Sequence, residues 1–270
     1  MIGLFSELAF RAGQIILDAR KSGFEIMEKS DCSPVTKADR EAEALILDGL
    51  KQASINLPIV AEEACSEGQC PTMLADRFLL IDPLDGTKEF VKGLPDFTVN
   101  IALIENGIPI VGVVYAPLSG HLYTGADGKA SKSILSSEGQ HSDTTQIGCR
   151  PCETPPCIVA SKSHCSTETK SFISGFDNAS IISVGSSLKF CMVAEGLADI
   201  YPRFSRTMEW DTAAGDAVLR AAGGNTITTN GASLTYGKRN QSHDSDFANP
   251  SFLTASNSAF ETIASDKLGF

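Results

Sequence analysis

Phe78-Leu79-Leu80-Ile81-Asp82-Pro83-Leu84-Asp85-Gly86-Thr87 is the stretch on which the reading of this chain turns. Its apolar run is strand-like and ends in an acidic residue, so the Asp82 carboxylate is presented at the edge of a sheet. Pro83 sets a turn and Gly86 permits close backbone approach, which lets Asp85 point back toward the same spot. Asp, Pro and Gly are also ordinary turn residues. Two further acidic ends weigh against that plain reading. Glu62-Glu63 closes a second apolar strand, Ile59-Val60-Ala61, and Trp210-Asp211 stands directly before a helical stretch from Thr212 to Ala222. An Asp in that position is commonly only an N-cap. Three acidic ends together suit a hard cation, and Mg2+ takes one or two carboxylates with waters and substrate phosphate.

Upstream, Leu4, Leu8, Ala12, Ile15, Ile16 and Ala19 make one helical face that ends at Gly23. A second helix opens after Ser33-Pro34-Val35, with Thr36 as its cap and Ala42, Leu45, Ile46 and Leu50 as its buried stripe. Downstream, Phe97–Ile104 and Ile108–Tyr115 flank Asn106-Gly107, a strong hairpin signal, and residues 121–130 extend it around Asp127-Gly128. From 131 to 156 the chain turns to Ser, Thr, Gly, Pro and Cys and reads as a connection or exposed excursion. Beyond it strands and helices alternate: strands at 158–161, 181–184, 199–201 and 225–229, helices at 166–176, 187–195 and 212–222. An α+β half (1–145) with an antiparallel sheet is therefore expected to join an α/β half (146–270) that completes the site.

The 270 residues suit one or two domains, and 42% hydrophobic with 20% charged residues is ordinary for a globular protein. Twenty-two Lys plus Arg against 33 Asp plus Glu leave a net charge of −11. Such a surface repels nucleic-acid polymers and anionic lipid, but not a small anion received by locally recruited cations. No apolar run reaches the roughly 18 residues of a membrane span. The N-terminal Met1–Gln14 is amphipathic and lacks the basic region of a signal peptide. A cytoplasmic protein is expected, free or peripheral on the inner membrane face, and either a monomer or a homodimer. The eight cysteines read chiefly as reduced thiols. The cluster from Cys149 and Cys152 through Cys157 to His164-Cys165 keeps a zinc-held module as an alternative, although only one of its pairs is tight.

Val60-Ala61-Glu62-Glu63, Asp82-Pro-Leu-Asp85-Gly-Thr87 and Trp210-Asp211-Thr-Ala-Ala-Gly215 resemble the three motifs of the inositol monophosphatase superfamily of metal-dependent, lithium-sensitive phosphatases. The resemblance runs from Ser33-Pro-Val-Thr-Lys-Ala-Asp39 to Asn249-Pro-Ser-Phe252. Within the superfamily it is nearest to the CysQ-type 3′(2′),5′-bisphosphate nucleotidases, through Asp85-Gly-Thr-Lys-Glu-Phe90 and Gly185-Ser-Ser-Leu-Lys189. The resemblance implies a layered α-β-α-β-α sandwich and a site holding two or three Mg2+ ions on Glu62, Asp82, the Leu84 carbonyl, Asp85 and Asp211. It implies an Asp39–Thr87 pair that relays a proton from the attacking water. It also places Ser161, His164, Ser186 and Lys189 on the nucleotide, beside Glu62, Leu84, Asp85, Gly86, Thr87 and Asp211. The activity implied is removal of the 3′-phosphate of 3′-phosphoadenosine 5′-phosphate, a by-product of sulfate assimilation. An inositol- or sugar-phosphate phosphatase is the alternative within the class; a zinc-held interaction module on a decayed phosphatase is the alternative outside it.

Overall fold

A computed structural model of the chain describes residues 1–24, 26–28, 34–163 and 165–263, with the backbone alone at 26–28, 34 and 261–263. Helix α1 (Ile2–Ser22), an antiparallel pair β1 (Ile26–Glu28) and β2 (Pro34–Thr36), and helix α2 (Lys37–Gln52) come first. A seven-stranded sheet then takes β3 (Ile59–Ala61), β4 (Arg77–Asp85), β5 (Thr98–Glu105), β6 (Ile108–Ala116), β7 (His121–Ala126), β8 (Lys129–Leu135) and β9 (His141–Ile147) in sequence order. Only the β3–β4 pair in it is parallel. Two short helices, α3 (Glu62–Ser66) and α4 (Thr87–Val91), start where β3 and β4 end.

The second sheet has the order β11-β10-β12-β16-β14, built from β10 (Cys157–Ser161), β11 (Ser180–Val184), β12 (Ile200–Arg203), β14 (Gly224–Thr228) and β16 (Phe252–Ser256). Helices α5 (Thr167–Ser174), α6 (Leu188–Ala194), α7 (Ala213–Ala221) and α8 (Asn257–Ile263) complete the chain, with a small pair of β13 (Thr207–Met208) and β15 (Ala248–Asn249).

The apolar stripes decide the layers. Phe5, Leu8, Ala12 and Ile16 of α1 and Ala42, Ile46 and Leu50 of α2 are buried in one core with Leu79, Ile81, Ile101 and Val113 of the large sheet. On its other face Leu80, Ala102 and Val114 share a core with Phe190 of α6, Val218 of α7 and Phe252 of the second sheet. Helix α7 is therefore covered on both sides and is buried continuously from Ala213 to Leu219. Its one buried charge, Asp216, is matched by Arg220 at 2.9 Å, Thr226 at 2.7 Å and Tyr236 at 3.0 Å. With α5 and α8 against the second sheet, the stack is α-β-α-β-α, as the family resemblance implies.

Two sequence expectations fail here. Residues 131–147 are no excursion: they finish β8 and form β9, the polar edge of the large sheet. Strand β9 is exposed along almost its whole length, so it lacks the apolar alternation that marks a half-buried strand. The thiols are not all reduced either, because Cys65 and Cys70 form a disulfide across the turn that follows α3, with Cα atoms 4.4 Å apart. Cys32 lies outside the described residues.

Candidate active site

Strand β4 carries its carboxylates through an irregularity. Asp82 pairs with Asn100 and Asp85 with Thr98, so three steps on β4 face two on β5. A regular pleat sends residues three apart to opposite faces; the extra residue at Pro83-Leu84 turns both Asp82 and Asp85 to one cavity. The Asp82 carboxylate accepts from the Leu84 N–H at 3.0 Å, which closes the turn. Gly86 follows in the left-handed region (φ 92°), where a Cβ would stand 2.8 Å from the Asp96 carbonyl oxygen. Only glycine fits there.

Glu62, Asp82, Asp85 and Asp211 line the same cavity of about 260 Å³, with the Leu84 backbone and Thr87. Burial pushes Asp82 well above the usual carboxylate range, reinforced by Glu62, Asp85 and Asp211. Burial, then Asp85 and Glu62, pushes Asp211 up to about 8. Asp85 is also raised by burial, although Lys189 and the Ser187 hydroxyl pull it back. Fixed positions come from neighbours that sequence reading missed. Ser187 donates to Asp85 at 3.1 Å or to the Asp211 carbonyl at 2.7 Å, and Asn100 donates to Ser187 at 2.9 Å. The Met208 N–H holds the Asp211 carboxylate at 2.8 Å.

Among the described residues no three His, Cys, Asp or Glu side chains are grouped tightly enough to hold an ion alone. That applies to the cysteines of the Cys149–Cys165 cluster as well, His164 lying outside the described residues. Burial pushes the Cys149 thiol up to about 12 and the Cys152 thiol up to about 11, so both are neutral thiols in the metal-free chain. The carboxylate cavity fits a different ion. Its donors are hard oxygens, and the crowded carboxylates keep protons that a divalent cation would displace.

Thr87, the first residue of α4, has its Oγ1 3.2 Å from Asp39 Oδ1 and 3.1 Å from the Leu84 carbonyl. Asp39 also caps α2: its Oδ2 accepts from the Thr36 N–H at 2.8 Å and the Thr36 hydroxyl at 2.7 Å. Asp39 thus touches both the first turn of α2 and Thr87.

A cationic wall faces these acids. Lys189 is only 4% exposed, not on a solvated helix face, and it donates to the Ser186 carbonyl and lies over the Tyr201 ring at 5.3 Å. Burial lowers its pKa to about 8, against the pull of Asp85, Glu89 and Asp211. Ser161 and Ser186 line the cavity beside it, and the Ser186 hydroxyl is buried with no hydrogen-bond partner among the described residues. An orphaned buried hydroxyl on a cavity wall is a place for a ligand atom. Arg203 and Arg206, which the sequence did not single out, lie on the same wall. His164 falls outside the described residues.

The model of the inositol monophosphatase family matches residues 1–263. The chain belongs to that family. Among inositol monophosphatase relatives it is 42% identical to the 3′(2′),5′-bisphosphate nucleotidase CysQ of Escherichia coli O157:H7, across 93% of this chain and 98% of that one. The CysQ structure from Bacteroides thetaiotaomicron superposes with a TM-score of 0.76 at 36% identity, covering 94% of this chain and 97% of that one. An inositol monophosphatase of Thermotoga maritima shares the fold, with a TM-score of 0.77 at 24% identity over 99% and 96% of the chains. No helix among the described residues is long and apolar enough to cross a membrane.

Proposed function

We propose that this chain is a Mg2+-dependent 3′(2′),5′-bisphosphate nucleotidase that converts 3′-phosphoadenosine 5′-phosphate to AMP and phosphate in the cytoplasm. The observation that carries it is one cavity with carboxylates on one wall and a buried Lys189 on the other. The 42% identity to a relative of that name supports the substrate. A monophosphate needs only the first wall; a second phosphate gives the buried ammonium a partner.

In this reading Glu62, Asp82, the Leu84 carbonyl, Asp85 and Asp211 hold two or three Mg2+ ions. Bound there, Mg2+ supplies charge neutralisation for the scissile phosphate and a water of lowered pKa. Thr87 takes the proton of the attacking water as its own passes to Asp39, the stronger acceptor. Asp39 is kept in place for this by Thr36. Lys189 and Ser186 receive the 5′-phosphate, while Ser161 and Gly86 border the nucleotide. His164 belongs to the same reading by resemblance. The site is completed by both halves, 1–145 and 146–270.

Phosphate release from 3′-phosphoadenosine 5′-phosphate and from inositol 1-phosphate, each with and without Mg2+, tests the assignment. Faster, Mg2+-dependent release from the bisphosphate is expected. Preference for inositol 1-phosphate would overturn the substrate, and turnover after complete chelation would overturn the metal.

A further inference from the structure

The cavity contains one carboxylate that neither the proton relay nor the metal ligand set uses. Glu89, on α4, is 5% exposed and lines the cavity on the side of Ser161, Gly185 and Lys189. One of its oxygens, Oε1, accepts from the Ser163 hydroxyl. The other, Oε2, accepts no hydrogen bond among the described residues. The side chain is also braced from behind: a Cβ on Gly185 would stand 3.1 Å from Glu89 Cγ and 2.7 Å from the Asp96 carbonyl oxygen. Glu89 is therefore locked by packing and one hydrogen bond, with an acceptor left over toward the cavity.

A carboxylate offers acceptors only and repels phosphate. Placed in a pocket for a polyanion, it works against binding unless the ligand brings a donor to it. The phosphates have none to give, so the donor is on the nucleoside. We infer that Glu89 is a specificity-determining residue, whose carboxylate accepts a hydrogen bond from an O–H or N–H donor on the nucleoside, either a sugar hydroxyl or a base amino group. This rests on the nucleotidase reading and deepens it. A site built to pair a donor rejects the analogue lacking it, because the bound ligand then strips water from the open carboxylate oxygen without replacing its hydrogen bond.

The test uses the full chain with Mg2+ and three substrates: adenosine 3′,5′-bisphosphate, its 2′-deoxy analogue and inosine 3′,5′-bisphosphate. The parent protein, Glu89→Gln and Glu89→Ala are compared by kcat/KM for phosphate release. The parent is expected to discriminate roughly 10- to 100-fold against the analogue without the donor. Discrimination against the deoxy analogue assigns the sugar hydroxyl; discrimination against inosine assigns the base amine. In Glu89→Ala that ratio falls toward one, and in Glu89→Gln, which keeps an acceptor oxygen without the charge, it falls part of the way. Should Glu89→Ala fail to fold, the partial fall in Glu89→Gln carries the test. Both ratios unchanged in a folded variant, with all three substrates slowed alike, would mean that Glu89 only braces Ser163, and would overturn the inference alone. A parent inactive on all three nucleotides overturns the functional reading and this inference with it.

Discussion

Glu62 and Asp211 reach the cavity through packing, but the rest of its acidic wall and its cationic wall are built in opposite ways. Asp82, Leu84, Asp85, Gly86 and Thr87 come from one bulged strand end and the helix after it, so their spacing in the chain is their spacing in space. Lys189 comes from α6 and Arg203 from the end of β12, while Arg206 follows β12 and is tied to Asp244 at 3.0 Å. Nothing but the stacking of two sheets on α6 and α7 brings these cations together. The contrast suggests a division of labour, with chemistry on the local wall and choice of substrate on the assembled one.

The largest effect expected from breaking that division is on the local wall. Asp85→Asn removes one ligand and some repulsion, so phosphate release should fall on the order of a thousandfold while the thermal midpoint without Mg2+ stays level or rises. Rates comparable to the parent would sink the metal assignment. A smaller and selective effect is expected on the opposite wall. Lys189→Ala should lower kcat/KM for the bisphosphate roughly 10- to 100-fold, the worth of one buried charge-assisted contact, with far less change on inositol 1-phosphate. Equal losses on both substrates would erase the distinction between the walls.

The smallest effect is thermodynamic. Asp211 is pushed up to about 8 from an ordinary 3.8, so the metal-free fold keeps a proton that the unfolded chain has already released. That group's contribution is fully present below about pH 4 and is lost as pH rises through about 8. Mg2+ replaces the proton, so its stabilisation should grow across the same interval, reaching about 5 °C near pH 8 at saturating metal. Thermal melts with and without Mg2+ at pH 5 and pH 8 check this, and a shift independent of pH would contradict the crowded-carboxylate picture.

The local wall was readable because proline, glycine and the acids announce it within one short stretch. The Asn106-Gly107 and Asp127-Gly128 hairpins were readable for the same reason, each turn placing its residues in the left-handed region. Strand β9 was not, since a polar strand at a sheet edge takes its order from hydrogen bonds to β8 and not from burial. Asn100 and Arg203 were missed because each has an unremarkable local context, and Glu89 and Ser187, although inside the motifs that carry the resemblance, because each acquires its neighbours only through the packing of distant elements. Lys189 was placed at the site by resemblance; helical periodicity alone would have put it in solvent.

Asp39 divides its two oxygens between two employers. Oδ2 is committed to the first turn of α2 and Oδ1 to Thr87. In the proposed reaction a proton arriving on Oδ1 leaves the Oδ2 contacts in place, so the carboxyl group can charge and discharge at every turnover without fraying the helix that carries it. The same arrangement ties two fates together: an Asp39→Ala chain would lose the proposed proton acceptor and one arm of the α2 capping box in a single step, while Thr36 still accepts from the Ala38 N–H.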